Sequence, residues 1–213
     1  MSRGINTPGR GGRPLLFATV WAVCCVAGLG ALAHYGNTPG SAGAAEIDAS
    51  GLAGLALAGD RPTVVMYAHP RCPCTSASLE SLARLQRRFP GRFATRVVFT
   101  VPRGMGDTWH CTALWEAAGR LPDCDRIVDP GGEITQAAGA ATSGTVAVYA
   151  SDGQLQFWGG VTPSRAHAGD SAGGDAMTDY FQGRSHAARS PVFGCPLVGC
   201  DDEQCLMPRD PTQ

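Results

Sequence analysis

Cys72, Pro73 and Cys74 are the residues whose types and spacing are best suited to chemistry. Two thiols flank a proline just after an apolar, β-branched run, Thr63 to Tyr67, and the turn His69-Pro70-Arg71. A helical pattern starts directly behind them. With Cys72 as N-cap and Pro73 at the first helical position, where its fixed φ fits, the free amides and the helix dipole face the Cys72 sulfur. That lowers the thiol pKa and enriches the thiolate, the form that attacks disulfides. Cys72 is then expected to be the attacking thiolate and Cys74 the resolving thiol, with Arg71 adding positive charge. A disulfide closed over one residue has little freedom to reach its preferred torsion, and strained disulfides are the more reducible ones. The pair therefore suits an oxidant or isomerase better than a strong reductant.

Other residues could join these two. Cys195 lies in the turn-rich stretch Phe193-Gly194-Cys195-Pro196. It is either a further site residue, as resolving thiol or ligand, or a buried residue that closes the tail onto the domain. Cys72, Cys74 and Cys195 with His69 or His167 would make a thiolate-rich site for Cu or Zn. Taken singly, His69, His167 and His186 read as solvated or capping side chains. Cys111 and Cys124 bracket a second helical stretch, and a structural disulfide between them, worth about 2–4 kcal/mol, is expected. Cys200 and Cys205 could pair in the polar tail.

These residues need a scaffold and an oxidising surrounding. The chain has 213 residues and nine cysteines, many for a reduced compartment. Its net charge of −1 gives no pointer to nucleic acid. Arg3, Arg10 and Arg13 precede an uncharged run, and no acidic residue comes before Glu46. This is the pattern of a segment that stays inside at its N-terminus and sends the rest across a membrane. Leu15 to Ala33 is nearly long enough to span a hydrocarbon core of about 30 Å. The expectation is a retained N-terminal anchor with the domain on the exported, periplasmic or extracytoplasmic side. Ala31-Leu32-Ala33 offers a cleavage site as the alternative. Cys24 and Cys25 lie within this run and read as small apolar fillers.

Residues 1–35 are therefore expected to be the signal anchor and residues 36–60 a flexible linker with one small helical turn near Leu52 to Leu57. Residues 61–187 form the domain, and residues 188–213 a cysteine-containing extension. The domain alternates strand and helix patterns. Thr63 to Tyr67 is a strand buried on both faces, and Ser76 to Phe89 is an amphipathic helix. Phe93 to Val101 is a second strand. A helix capped by Asp107 or Thr108 and containing Trp109 follows, then a strand at Arg126 to Val128 and a short helix at Ile134 to Ala140. A hairpin of Thr145 to Tyr149 and Gln154 to Trp158 and a helix from Gly174 to Arg184 complete the order β-α-β-α-β-α-β-β-α.

That order, with a cysteine pair after the first strand, resembles the thioredoxin fold over residues 61 to 187. The resemblance implies an α/β domain with a central mixed sheet: parallel first strands and an antiparallel hairpin at the edge. Thioredoxins have two residues between their cysteines and a cis-proline before the hairpin strand. Here one residue intervenes, and Thr142-Ser143-Gly144-Thr145 contains no proline, which leaves room beside the sulfurs. His69 and Arg71 stand where peroxiredoxins carry a threonine or serine, which argues against peroxidase chemistry.

A narrower resemblance, over residues 63 to 197, is to membrane-anchored thioredoxin-like proteins of the RedB type. It rests on His69 to Thr75, Leu114-Trp115, Thr142-Ser143-Gly144, Gly159 to His167 and Val192 to Leu197. Three functions remain open from the sequence. The first is a membrane-tethered thiol–disulfide oxidoreductase, which needs no cofactor and meets a thiol- or disulfide-containing client. The second is a copper or zinc delivery protein. The third is a non-catalytic interaction module.

Overall fold

The computed structural model describes residues 12–41, 43 and 54–197. The chain divides into two units, Met1–Gly36 and Asn37–Gln213. The first unit holds helix α1 (Gly12–Asn37), 26 residues long and about 39 Å at the standard rise. No charged residue follows Arg13 in it, and its apolar window has a mean hydropathy of 2.2. Leu15, Phe17, Trp21 and Val26 are all exposed. By length and composition α1 is able to cross a membrane.

The second unit is built on a five-stranded sheet: β1 (Thr63–Ala68), β2 (Ala94–Val101), β3 (Cys124–Pro130), β4 (Thr145–Tyr149) and β5 (Leu155–Gly159). Their spatial order is β3-β2-β1-β4-β5. β1, β2 and β3 run parallel, with Met66 beside Val97 and Val97 beside Arg126. β4 turns antiparallel to β1, and β5 antiparallel to β4. Helix α2 (Pro73–Arg88) links β1 to β2, and α3 (Ala113–Gly119) links β2 to β3. α4 (Glu133–Ala137) precedes β4, and α5 (Ala172–Phe181) follows β5. This is the central mixed sheet expected for a thioredoxin-like α/β domain.

β1 lies at the centre of the sheet, and every residue in it is buried. Because side chains alternate across a strand, Val64 and Met66 serve one core and Val65 and Tyr67 the other. On the first face they meet Leu79, Leu82 and Leu85 of α2 and Met177 and Phe181 of α5. On the second they meet Leu55, Ala138, Ala140, Trp158 and Leu197. A strand clamped in this way delivers its C-terminal end, and the turn that follows, to a fixed place.

One local expectation is corrected. The second helix does not start at Asp107 or Thr108. Thr112 is its cap, with a hydroxyl that accepts the Trp115 N–H at 3.3 Å, and Trp109 lies in the preceding loop. The same Thr112 hydroxyl donates to the Pro70 carbonyl at 2.8 Å, so the helix start is set by the turn before the cysteines. Of the helical turn expected near Leu52 to Leu57, residues 54–55 are turn and 56–57 irregular chain, while Leu52 and Ala53 lie outside the described residues. Leu55 is nonetheless fully buried.

Candidate functional site

The turn at the end of β1 is tied down before the cysteines are reached. The His69 carbonyl accepts the Cys72 N–H at 3.1 Å and the Thr75 hydroxyl at 3.0 Å. Because the single Thr75 proton is used there, the Ser143 hydroxyl, 2.9 Å away, donates to Thr75. Ser143 Oγ in turn accepts the His69 N–H at 3.0 Å. Cys72 is the N-cap of α2, in extended conformation, and Pro73 opens the helix as expected.

Three sulfurs meet at this helix start. Cys72 and Cys74 are buried and Cys195 is half-buried, with Cys72 Sγ 3.2 Å from Cys195 Sγ. Its contact with Cys195, and after it the effect of Cys74, holds Cys72 far below the ordinary thiol value, against the opposing effect of burial. Cys195 is pushed up because ionising it would remove its bonds to Cys72 and Cys74 and crowd negative charge together. Cys74 is drawn down by Cys195, but its bonding to Cys72, its burial and the neighbouring charge leave it raised. Cys72 is therefore the most acidic of the three thiols, with the Cys195 sulfur in direct contact.

Cys195 arrives on a closing segment, residues 188–197, that is laced to the domain. Trp158 N donates to Ala188 O at 2.9 Å, Gly160 N to Pro191 O at 3.2 Å and Leu197 N to Ala141 O at 2.8 Å. Beside the site, Ser143 N donates to the Cys195 carbonyl at 2.8 Å. The approach is so close that glycine is required. A Cβ on Gly194 would lie 1.9 Å from the Ser143 carbonyl oxygen, and one on Gly173 would lie 1.8 Å from that of Gly160. The loop after β5 adds the third side: Arg165 donates to the Gly194 carbonyl, and the Ala166 amide draws the Cys74 thiol down.

The remaining candidates fall around this cluster. His69 is kept neutral chiefly by burial, although the Cys72 charge opposes this; its Nδ1 accepts the Arg71 N–H at 3.2 Å. Its ring meets Trp109 edge-on. The Arg71 guanidinium stacks over Trp109, 5.0 Å from the ring centre, so the thiols rather than Arg71 stabilise Cys72. His167 is exposed and bonds the Arg165 carbonyl of its own loop, and His186 faces the carbonyls of Gln156 and Arg184. Among the described residues, no group of three or more His, Cys, Asp and Glu is disposed to hold a metal ion. The sulfur spacing agrees with this, since two thiolates sharing a tetrahedral ion at about 2.3 Å would lie about 3.8 Å apart.

The bridge expected between Cys111 and Cys124 is not formed. Both are free thiols. They stand at opposite ends of α3, whose seven residues alone span about 10 Å, beyond the Cα separation of about 7 Å that a disulfide tolerates. Cys111 is exposed beside His110, and Cys124 opens β3. Cys200 and Cys205 lie outside the described residues. The hydroxyl relay of Thr75 and Ser143 and the amide of Ala166 were not singled out from the sequence. Ala166 has φ 56°, a left-handed conformation that alanine rarely adopts, so its residue type gave no signal.

No known family matches the sequence, and no curated protein does. Among solved structures, an uncharacterized conserved protein from Geobacillus kaustophilus overlaps 65% of this chain and 77% of its own, with 19% identity and a TM-score of 0.51. A hypothetical protein from Sinorhizobium meliloti overlaps 64% and 78%, with 19% identity and a TM-score of 0.50. A secreted disulfide oxidoreductase of Mycobacterium tuberculosis overlaps 60% and 84%, with 16% identity and a TM-score of 0.41. At these identities the likeness is one of fold alone.

Proposed function

We propose that this chain is a membrane-tethered thiol–disulfide oxidoreductase centred on Cys72, with its domain on the exported side. The observation that carries the reading is the Cys72 sulfur itself, at the start of α2 with the Cys195 sulfur 3.2 Å away. A sulfur so stabilised is a ready nucleophile towards a disulfide and a good leaving group from one. Exchange passes through a mixed disulfide between a client and a cysteine of this site, with Cys72 as the thiolate that leaves or attacks and Cys74 or Cys195 as its partner. The resemblance to RedB-type proteins and the apolar α1 support the tether, and the nine cysteines support an oxidising compartment. The stabilised reduced form favours the oxidant or isomerase direction.

Copper or zinc delivery is the weaker reading, because the sulfurs point at one another rather than around a common centre. The test is thiol exchange and metal content in the full-length chain, solubilised in detergent and purified aerobically and under reduction. Rapid closure of an internal disulfide by glutathione disulfide, abolished in Cys72→Ser, in metal-free protein is the expected result. Stoichiometric copper or zinc held without any exchange at Cys72 would replace this reading with the metal one. Absence of both would leave the interaction module.

A further inference from the structure

Resting on that reading, we propose that the working disulfide joins Cys72 to Cys195, across 123 residues of chain, and that Cys74 is an auxiliary thiol. The geometry separates the two possible pairs. The Cys72 and Cys195 sulfurs are already 3.2 Å apart and must approach by only about 1 Å to reach bonding distance. Every residue of α2 can stay in place while they do so. A Cys72–Cys74 bridge would instead close a three-residue ring around Pro73. Cys74 already belongs to the first turn of α2, and its carbonyl accepts the Ser78 hydroxyl at 3.2 Å. Closing that ring would pull Cys74 out of the turn.

Cys195 is also held ready. Its carbonyl is fixed by Ser143 N, Gly194 is pressed against the Ser143 carbonyl, and Leu197 N is bonded to Ala141 O. Two bonds and one close contact on either side of a thiol keep its effective concentration at Cys72 high. The reduced thiol of Cys74, with the Ala166 amide at its sulfur, sits beside the pair without needing to move.

Exposure assigns the roles within the pair. Cys72 is 2% exposed, whereas Cys195 is half-buried on the solvent side of the cluster. In the oxidised state a client thiolate attacks the Cys195 sulfur, the Cys72–Cys195 bond breaks, and Cys72 leaves as the stabilised thiolate. A second client thiolate then attacks the client sulfur of the mixed disulfide and displaces Cys195. The client leaves as a disulfide, having lost two electrons and two protons. The pair gains the electrons, one proton ends on Cys195, and the other passes to solvent. Exchange with a partner disulfide, by the reverse steps, restores the Cys72–Cys195 bond.

The test uses the detergent-solubilised full-length chain, oxidised with glutathione disulfide, alkylated at its remaining thiols and mapped by mass spectrometry after proteolysis. Wild type and Cys74→Ser are expected to yield the peptide pair linked through Cys72 and Cys195. The fraction linked at a given glutathione ratio should differ between them by less than about threefold. Oxidised wild type treated briefly with reduced glutathione and quenched with acid should carry the adduct on Cys195. A Cys72–Cys74 link in wild type, or loss of the disulfide in Cys74→Ser with Cys195 freely alkylated, would overturn the proposal. So would a glutathione adduct confined to Cys72. If Cys72 exchanges with glutathione but never links to Cys195, the pairing is wrong and the oxidoreductase reading stands. If Cys72 exchanges with nothing, both fall.

Discussion

Ser143 N donates to the Cys195 carbonyl at 2.8 Å, within the stretch Thr142 to Thr145 where the resemblance to thioredoxins leads one to expect a proline. Proline has no N–H to give. The missing proline is therefore more than added room beside the sulfurs, because its replacement supplies the donor that holds the third thiol over Cys72. Ser143→Pro is expected to release the closing segment at Cys195, and Cys72, now buried, should be alkylated at least about tenfold faster in the folded protein. An unchanged alkylation rate would show that the other bonds to residues 188–197 are sufficient.

The side chain of Ser143 has a separate role, bridging the His69 amide and the Thr75 hydroxyl. Ser143→Ala leaves the buried His69 N–H without a partner but keeps the Ser143 N–H. A loss of about 1–3 kcal/mol in denaturant unfolding is expected, with the Cys72–Cys195 contact retained.

Gly194→Ala places a methyl group where the Ser143 carbonyl oxygen already lies. Backbone meets backbone there, so neither side can rotate away. A destabilisation of about 1–3 kcal/mol, or detachment of the closing segment with unchanged global stability, is expected. Denaturant midpoints together with alkylation of Cys72 distinguish these outcomes, and an unchanged value in both measurements would overturn the close contact.

The thiol donors at Cys72 lead to a pH profile. An ordinary thiol reacts about tenfold faster for each pH unit up to its pKa, because only the thiolate reacts. Cys72, held far below the ordinary value by Cys195 and Cys74, is already ionised. Its alkylation in the folded protein should be nearly flat between about pH 5 and pH 8. Cys195→Ala removes the largest contribution, so the profile should rise with pH over that window.

Cys124 should leave its mark on alkaline stability. Burial, with the Asp125 charge added, pushes its thiol up to about 12 from an ordinary value near 9. Between these values the unfolded chain has lost the proton while the folded chain keeps it, so stability falls as pH rises, by up to about 1.4 kcal/mol per unit. Cys124→Ala should flatten that part of the unfolding curve. A slope equal to that of wild type would show that Cys124 does not carry the effect.

The anchor is tested by fractionating cells that express the full chain. The domain is expected to stay with the membrane after alkaline carbonate extraction and to be accessible to protease from the exported side. N-terminal sequencing should find Leu15 to Ala33 still attached. A soluble exported product beginning after Ala33 would show that the leader is removed instead.

The fold was largely legible along the chain because its signals are local. The all-apolar run of β1, the helical spacing of Leu79, Leu82 and Leu85 and the Asp152-Gly153 turn each act within a few residues. They determined the element order, the parallel and antiparallel parts of the sheet and the placement of Cys72 and Pro73 at the start of α2. The second helix was misplaced because its start depends on Thr112 reaching back to Pro70, across 42 positions. The bridge from Cys111 to Cys124 was misjudged because loop length says nothing about which end of a helix each thiol occupies.

What the sequence by itself determined is that one cysteine stands at a helix N-terminus behind a buried central strand. Periodicity, a proline and a turn suffice for that. Only the tertiary structure decided which sulfur meets it. Cys195 comes from 123 residues away, and no local propensity encodes the approach. It arises where Gly194 fits against Ser143, Gly160 against Gly173 and Pro191, and the Ser143 amide finds a carbonyl. Such contacts depend on backbones meeting in space, which only packing of the whole domain brings about.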